Sequence, residues 1–198
     1  MNRIPLIVWF LIPTLIIIGV GVWFLSKSAM EPKDDSLALV PVSSPIEGTM
    51  EFTVVSREHI AAGTPGTGYN SNPPTSGPHW PAPAGNGIYD KELPDEQLIH
   101  NLEHGHVWVS YRPPTSGGQE STDGAEVKPG ITEEELAKIK EIVEEDDWKV
   151  VLAPRANDDS KIALAAWGRV LNMDEVDLDK IKDFIETYRN RGPEKTPE

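Results

Sequence analysis

From Ile4 to Leu25 the chain is apolar and carries no charge. About 20 such residues let a helix cross the hydrocarbon core of a bilayer, so the pattern predicts one transmembrane anchor within residues 1–25. Pro5 falls in the first turn, and Pro13 marks a kink of a kind that membrane helices accept. Trp9 and Trp23 lie toward the two ends, where interfacial aromatics gather. The run is longer than a signal-peptide core of about 7–15 residues, and no good cleavage site follows it, which favours an uncleaved anchor. Arg3 and the amino terminus are offset by Lys27 and Lys33, so charge barely orients the segment. The very short leader predicts a cytoplasmic N-terminus and an extracytoplasmic remainder.

After the anchor the periodicity changes. Residues 26–50 mix Ser, Pro, Lys and Asp and read as a linker, with Leu37–Val42 offering some apolar surface. Phe52–Val55 is a short strand candidate. Residues 63–87 are dense in Gly, Pro, Asn and Ser and form a long loop. Loops of that length are often functional. A helix is expected from about Pro94 to His104, opened by Pro94 and Asp95 and closed by Gly105. Val107, Val109 and Tyr111 alternate along a strand at 106–111, which Pro113 and Pro114 stop. Thr132 and Glu135 make a capping box, Ile131 can staple to Leu136, and Leu136, Ile139 and Val143 repeat at helical spacing. Strands are expected at 149–153 and 161–167. The last helix starts near Asp177, with Leu178, Ile181, Ile185 and Tyr188 on its buried face and Phe184 beside it. The order β-α-β-α-β-β-α predicts an α+β domain over 51–192: a small, largely antiparallel sheet with packed helices, preceded by one transmembrane helix. Residues 193–198 read as a frayed polar tail.

Composition narrows the function classes. The net charge is −14, the sequence pI is about 4.7, and there is no basic cluster, which speaks against nucleic-acid binding. Cysteine is absent, which rules out thiolate catalysis and cysteine-ligated zinc or iron–sulfur sites. A domain of this size does not need disulfides, so the absence does not oppose export.

The candidate chemistry is histidine. Of five histidines, His79, His100, His104 and His106 fall in one short stretch, and His59 precedes them. His100 and His104 are one helical turn apart and share a face. On a helical wheel they lie roughly opposite Leu98, Ile99 and Leu102, so they are not part of the apolar stripe. Glu103 flanks them and could ligate a metal or orient a histidine. His79 sits in Pro73-Pro74-Thr75-Ser76-Gly77-Pro78-His79-Trp80, a segment with few conformations, and rigid presentation lowers the entropic cost of ligation. Imidazoles without a thiolate suit zinc or copper(II) and suit magnesium or calcium poorly. A second reading is a hydrogen-bonded histidine cluster that pins the 63–87 loop. A third is a zinc hydrolase, because His100-Asn101-Leu102-Glu103-His104 fits the H-x-x-E-H pattern. Gly105 ends that helix at once, and no motif supplies a further carboxylate ligand.

Five separated segments resemble the prokaryotic family catalogued as domain of unknown function 3105. They are His59-Ile60, Asn72–His79, Gly87-Ile88-Tyr89-Asp90, His100–Gly105 and Ala165-Ala166-Trp167-Gly168-Arg169. The resemblance spans about 51–190. Its members are often membrane-anchored, which agrees with the apolar run. The family pattern implies histidines at His59, His79, His100 and His104 and an acid at Glu103, and so brings His59 in as a fourth ligand. His106 lies outside that pattern and is only an accessory candidate. Some relatives carry a cysteine where this chain has Asn86, which would alter any taste for copper(I).

The expectation is therefore a membrane-anchored extracytoplasmic α+β domain that binds one transition metal, copper or zinc, in metal handling at the envelope. His79, His100 and His104 are the core ligands, His59 the fourth, and Glu103 a supporting partner or occasional ligand. Four protein ligands close a zinc site, which favours structure or metal handling over catalysis, and no catalytic residue is assigned.

Overall fold

The computed structural model describes residues 17–18, 20, 37–114 and 128–196. The chain divides into two units, Met1–Asp35 and Ser36–Glu198. Nearly all of the anchor expected at 1–25 lies outside the described residues. Among the described residues no helix is long and apolar enough to cross a membrane.

The second unit is an α+β domain with a six-stranded sheet. Its elements are β1 (Met50–Glu51), β2 (Gly87–Ile88), α1 (Asp95–Glu103), β3 (Val107–Tyr111), α2 (Glu133–Glu145), β4 (Val150–Pro154), β5 (Ile162–Ala166), β6 (Arg169–Met173) and α3 (Leu178–Tyr188). The strand order is β1-β6-β5-β3-β4-β2. The pairs β1–β6, β6–β5 and β5–β3 are antiparallel, whereas β3–β4 and β4–β2 are parallel. The sheet is thus mixed and not largely antiparallel. The reason is connectivity: α2 joins β3 to β4, and α1 joins β2 to β3. A helical crossover is the usual link between parallel strands.

Two strands depart from expectation. The expected strand at 161–167 is β5 alone, which turns through Trp167 and Gly168 into β6, a strand the pattern did not reveal. The first paired residues are Met50 and Glu51 rather than Phe52–Val55, which continues beside the sheet edge with Phe52 N–H donating to the Gly168 carbonyl at 2.8 Å.

The sheet separates two cores. On one face Val107, Val109, Val150, Leu152, Ile162 and Leu164 pack against α2 and α3. The anticipated capping box is present, with Glu135 N–H donating to Thr132 Oγ1 and Thr132 N–H donating to Glu135 Oε2. On the other face Trp108, Val151, Ala153, Ala165 and Trp167 pack against Leu98, Ile99 and Leu102 of α1. Every residue of α1 from Leu98 to Glu103 is buried, the polar ones included. Loop segments from 53–85 cover the helix: Trp80 N–H donates to the Glu96 carbonyl, Gly66 N–H to Glu96 Oε1, and Asn101 exchanges two hydrogen bonds with Ala84.

Both flanking segments are built into the domain. Val42 and Ile46 pack on the first core and Leu39 on the second, and Arg169 donates to the Val40 carbonyl, so residues 37–49 are more than a linker. The tail is also pinned, where fraying was expected. Asn190 N–H donates to the Gly105 carbonyl at 2.6 Å, Glu194 N–H to the Glu103 carbonyl at 3.1 Å, and the Lys149 ammonium to Thr196 Oγ1 at 3.0 Å. Two glycines allow this approach. Gly105 has φ +84°, and a Cβ there would lie 2.8 Å from Asn190 Cα; a Cβ on Gly192 would strike the Glu103 carbonyl oxygen and Gly105 N.

Candidate metal centre

Two loop segments meet α1 at the site. His59 and His79 are neighbours in an isolated parallel bridge, closed by Ile60 N–H to the His79 carbonyl (2.8 Å) and His79 N–H to the Glu58 carbonyl (2.9 Å). The bridge sets the two imidazoles side by side. From the helix, His100 and Glu103 face them one turn apart. One donor atom from each of His59, His79, His100 and Glu103 lies within 4.8 Å of all the others. Four points so spaced fit within about 3 Å of a common centre, and zinc bonds of about 2.1 Å need only a modest closing of that set.

The rings pack as a cluster. His59 and His100 are stacked with centroids 5.0 Å apart, His59 and His79 meet edge-on at 4.7 Å, and Trp167 sets its ring against His79 at 6.4 Å. His79, His100 and Glu103 are buried.

The hydrogen bonds define donor directions. His79 Nδ1 lies 2.7 Å from the Gly77 carbonyl, which can only accept, so Nδ1 carries the proton. His79 Nε2 is thereby turned to Glu103 Oε2 at 3.0 Å. That nitrogen must hold either a second proton or a cation to be compatible with a carboxylate. A backbone carbonyl fixing the tautomer of a ligating histidine is a recurrent feature of metal sites. The other Glu103 oxygen, Oε1, accepts from Arg57 Nε at 2.6 Å, and Arg57 in turn donates to Glu194 Oε1 at 2.6 Å.

Charge states follow from these contacts. Burial alone would raise the Glu103 pKa, but hydrogen bonds from His79 and Arg57 override it and hold the carboxyl at about 2. Burial, with the neighbouring His104 and His79, lowers His100 to about 4. At neutral pH the site therefore offers an ionised carboxylate and a neutral imidazole. Among the described residues, the buried His100 Nδ1 has no hydrogen-bond partner.

Of the residues singled out from sequence, His59, His79, His100 and Glu103 come together and His104 does not join their group. His104 is the C-cap of α1, and its Nε2 points to Glu194 Oε2 at 3.4 Å, while its ring abuts His100 at 4.4 Å. Glu103, expected as a supporting residue, stands at the centre. His106 is buried and separately engaged, with Nδ1 at the Asn101 carbonyl and Nε2 2.7 Å from Asn86 Oδ1. Position 86 therefore faces His106 rather than the His59–Glu103 group. Arg57 and Glu194 were not anticipated. Neither belongs to a recognisable motif, and both reach the site only through tertiary packing.

The chain belongs to the family described as "Protein of unknown function (DUF3105)", matching it over residues 59–122 and 125–198. No curated protein matches the chain, and no solved structure does.

Proposed function

We propose that the domain binds one divalent transition ion, zinc or copper(II), through His59, His79, His100 and Glu103. The reading extends to metal handling at the cell envelope, with the domain exported and held by the apolar segment at 4–25. The observation that carries the metal reading is the convergence of three imidazoles and one carboxylate, two of them already in the ionisation state a ligand needs. Imidazole and carboxylate donors together suit zinc and copper(II). His104 adjoins the site, and its pairing with Glu194 gives it a supporting part in place of the core-ligand role.

A metal-free structural role is the second reading, favoured by one observation. With His79 doubly protonated, the His79–Glu103–Arg57 chain is a complete ion network that pins the 53–85 loop without any ion. A zinc hydrolase built on the H-x-x-E-H segment gains no support. Glu103 is buried, tied to Arg57, and too acidic at about 2 to serve as a general base near neutral pH.

The test is metal content of the full chain, purified in detergent without a histidine tag, by plasma mass spectrometry. About one equivalent of zinc or copper, lost in a His79→Ala/His100→Ala double variant, supports the metal site. No bound metal, and none taken up on titration at neutral pH, leaves the ion network as the function of the cluster.

A further inference from the structure

Access distinguishes the four grouped side chains. His79, His100 and Glu103 are 0%, 4% and 1% exposed, whereas the His59 side chain is 45% exposed. His59 is also held less closely to the carboxylate than His79 is. Its Nε2 lies 3.5 Å from Glu103 Oε2, against 3.0 Å for His79 Nε2. Its backbone is fixed by the bridge to His79, so the imidazole can swing outward without moving the loop. The residues that follow, Ala61 to Pro65, are exposed.

Ligand substitution at a metal ion needs an approach path and a leaving ligand that water can solvate as it departs. Only the His59 position meets both conditions. The incoming group must also cross the field of a chain with net charge −14, which repels anionic donors and leaves neutral ones unaffected.

We propose that His59 is the exchangeable ligand of this site, and that an exposed imidazole of a partner protein takes the coordination position of His59, so that partner and domain hold the ion jointly. This rests on the metal-binding reading above. In the exchange one metal–nitrogen bond forms to the incoming imidazole and the bond to His59 breaks. No electron moves, and Glu103 continues to offset part of the ion's charge. His79, His100 and Glu103 form the retained, buried tripod.

Cobalt(II) and free imidazole serve as probes with the full chain in detergent. His59→Ala and His59→Asn, both folded by circular dichroism, should bind cobalt at least about tenfold more weakly than the parent, as loss of one exposed ligand predicts. Added imidazole should restore the affinity and the visible absorption bands, whereas acetate should not. A buried comparison, His79→Ala, should gain nothing from imidazole. In the unaltered chain, imidazole should displace His59 and bring the visible bands to those of the imidazole-rescued His59 variants. Parent-like binding by both His59 variants, failure of imidazole to rescue them, or equal rescue by acetate would overturn the exchange proposal and leave the metal site standing. An unaltered chain that takes up no cobalt would overturn both.

Discussion

Glu103 and His79 face each other across 3.0 Å, with Arg57 on the far oxygen of the carboxylate and the Gly77 carbonyl behind the far nitrogen of the ring. Each partner is oriented from behind, so the gap between them is preset. A site so prepared spends little ordering entropy when it takes a cation.

Arg57 therefore matters although it is no ligand. Arg57→Met should leave the fold intact and lower metal affinity by about 10–100-fold, the usual cost of removing a group that orients a ligand. Competition with a chromophoric chelator measures it. Arg57→Lys should recover part of the loss, because Lys keeps the charge and gives up the fork geometry.

Stability of the metal-free protein should fall with acid in two steps. The folded pKa of His100, about 4, lies below its ordinary 6.5, so as pH drops the unfolded chain binds the proton first. Its contribution is full above about pH 6.5 and is lost between 6.5 and 4, on the order of 3 kcal/mol. Glu103, at about 2 against an ordinary 4.5, keeps its contribution above pH 4.5 and loses it toward pH 2. Urea unfolding in chelator from pH 8 to 5 should show the first step. His100→Asn should flatten it.

The C-terminal strap should report on the site. In Gly192→Ala the new methyl meets the Glu103 carbonyl and Gly105 N. Moving the strap away should destabilise the domain by about 1–3 kcal/mol, read from the urea midpoint, and should weaken metal binding by releasing Glu194 from Arg57. Glu194→Gln, which keeps the strap backbone, should change binding with little change in the midpoint.

A buried ion network elsewhere should affect stability alone. Asp158 accepts from Ser110 at 2.6 Å and from Arg155 at 2.8 Å, and Arg155 also holds Asp95. Asp158→Ala leaves buried donors unmatched and should cost about 3 kcal/mol without altering metal stoichiometry. Thermal unfolding and metal content together check both parts.

The sequence made the helices more legible than the sheet. Thr132, Glu135 and Gly105 act within one turn of their own helices, so their signals are local and were readable. The mixed sheet is not local. The strand–helix–strand order around α1 and α2 did carry the parallel pairing, but β2 is two residues long inside a Gly- and Pro-rich loop. Strand β6 begins with Arg169, whose burial depends on Glu51 and the Val40 carbonyl far away in sequence. In the site, the i, i+4 spacing brought His100 and His104 forward as core ligands, with Glu103 only as their flanking partner. Only the helix end, where His104 becomes the cap, determines that Glu103 faces His79 and His104 turns to Glu194. Arg57 was invisible, since a lone arginine in a loop carries no pattern.

The two cores share strands but not helices: α1 lies on one face of the sheet, α2 and α3 on the other. An ion at His59, His79, His100 and Glu103 would tie down α1 and its covering loop, and amide exchange there would slow by as much as the ion binds. The α2–α3 layer would feel the ion only at the end of α3, where Asn190 and Glu194 reach Gly105 and Glu103. Occupancy would thus be signalled on the α1 side of the sheet and along that strap, and a partner resting on α2 would find the same surface whether the site is loaded or empty.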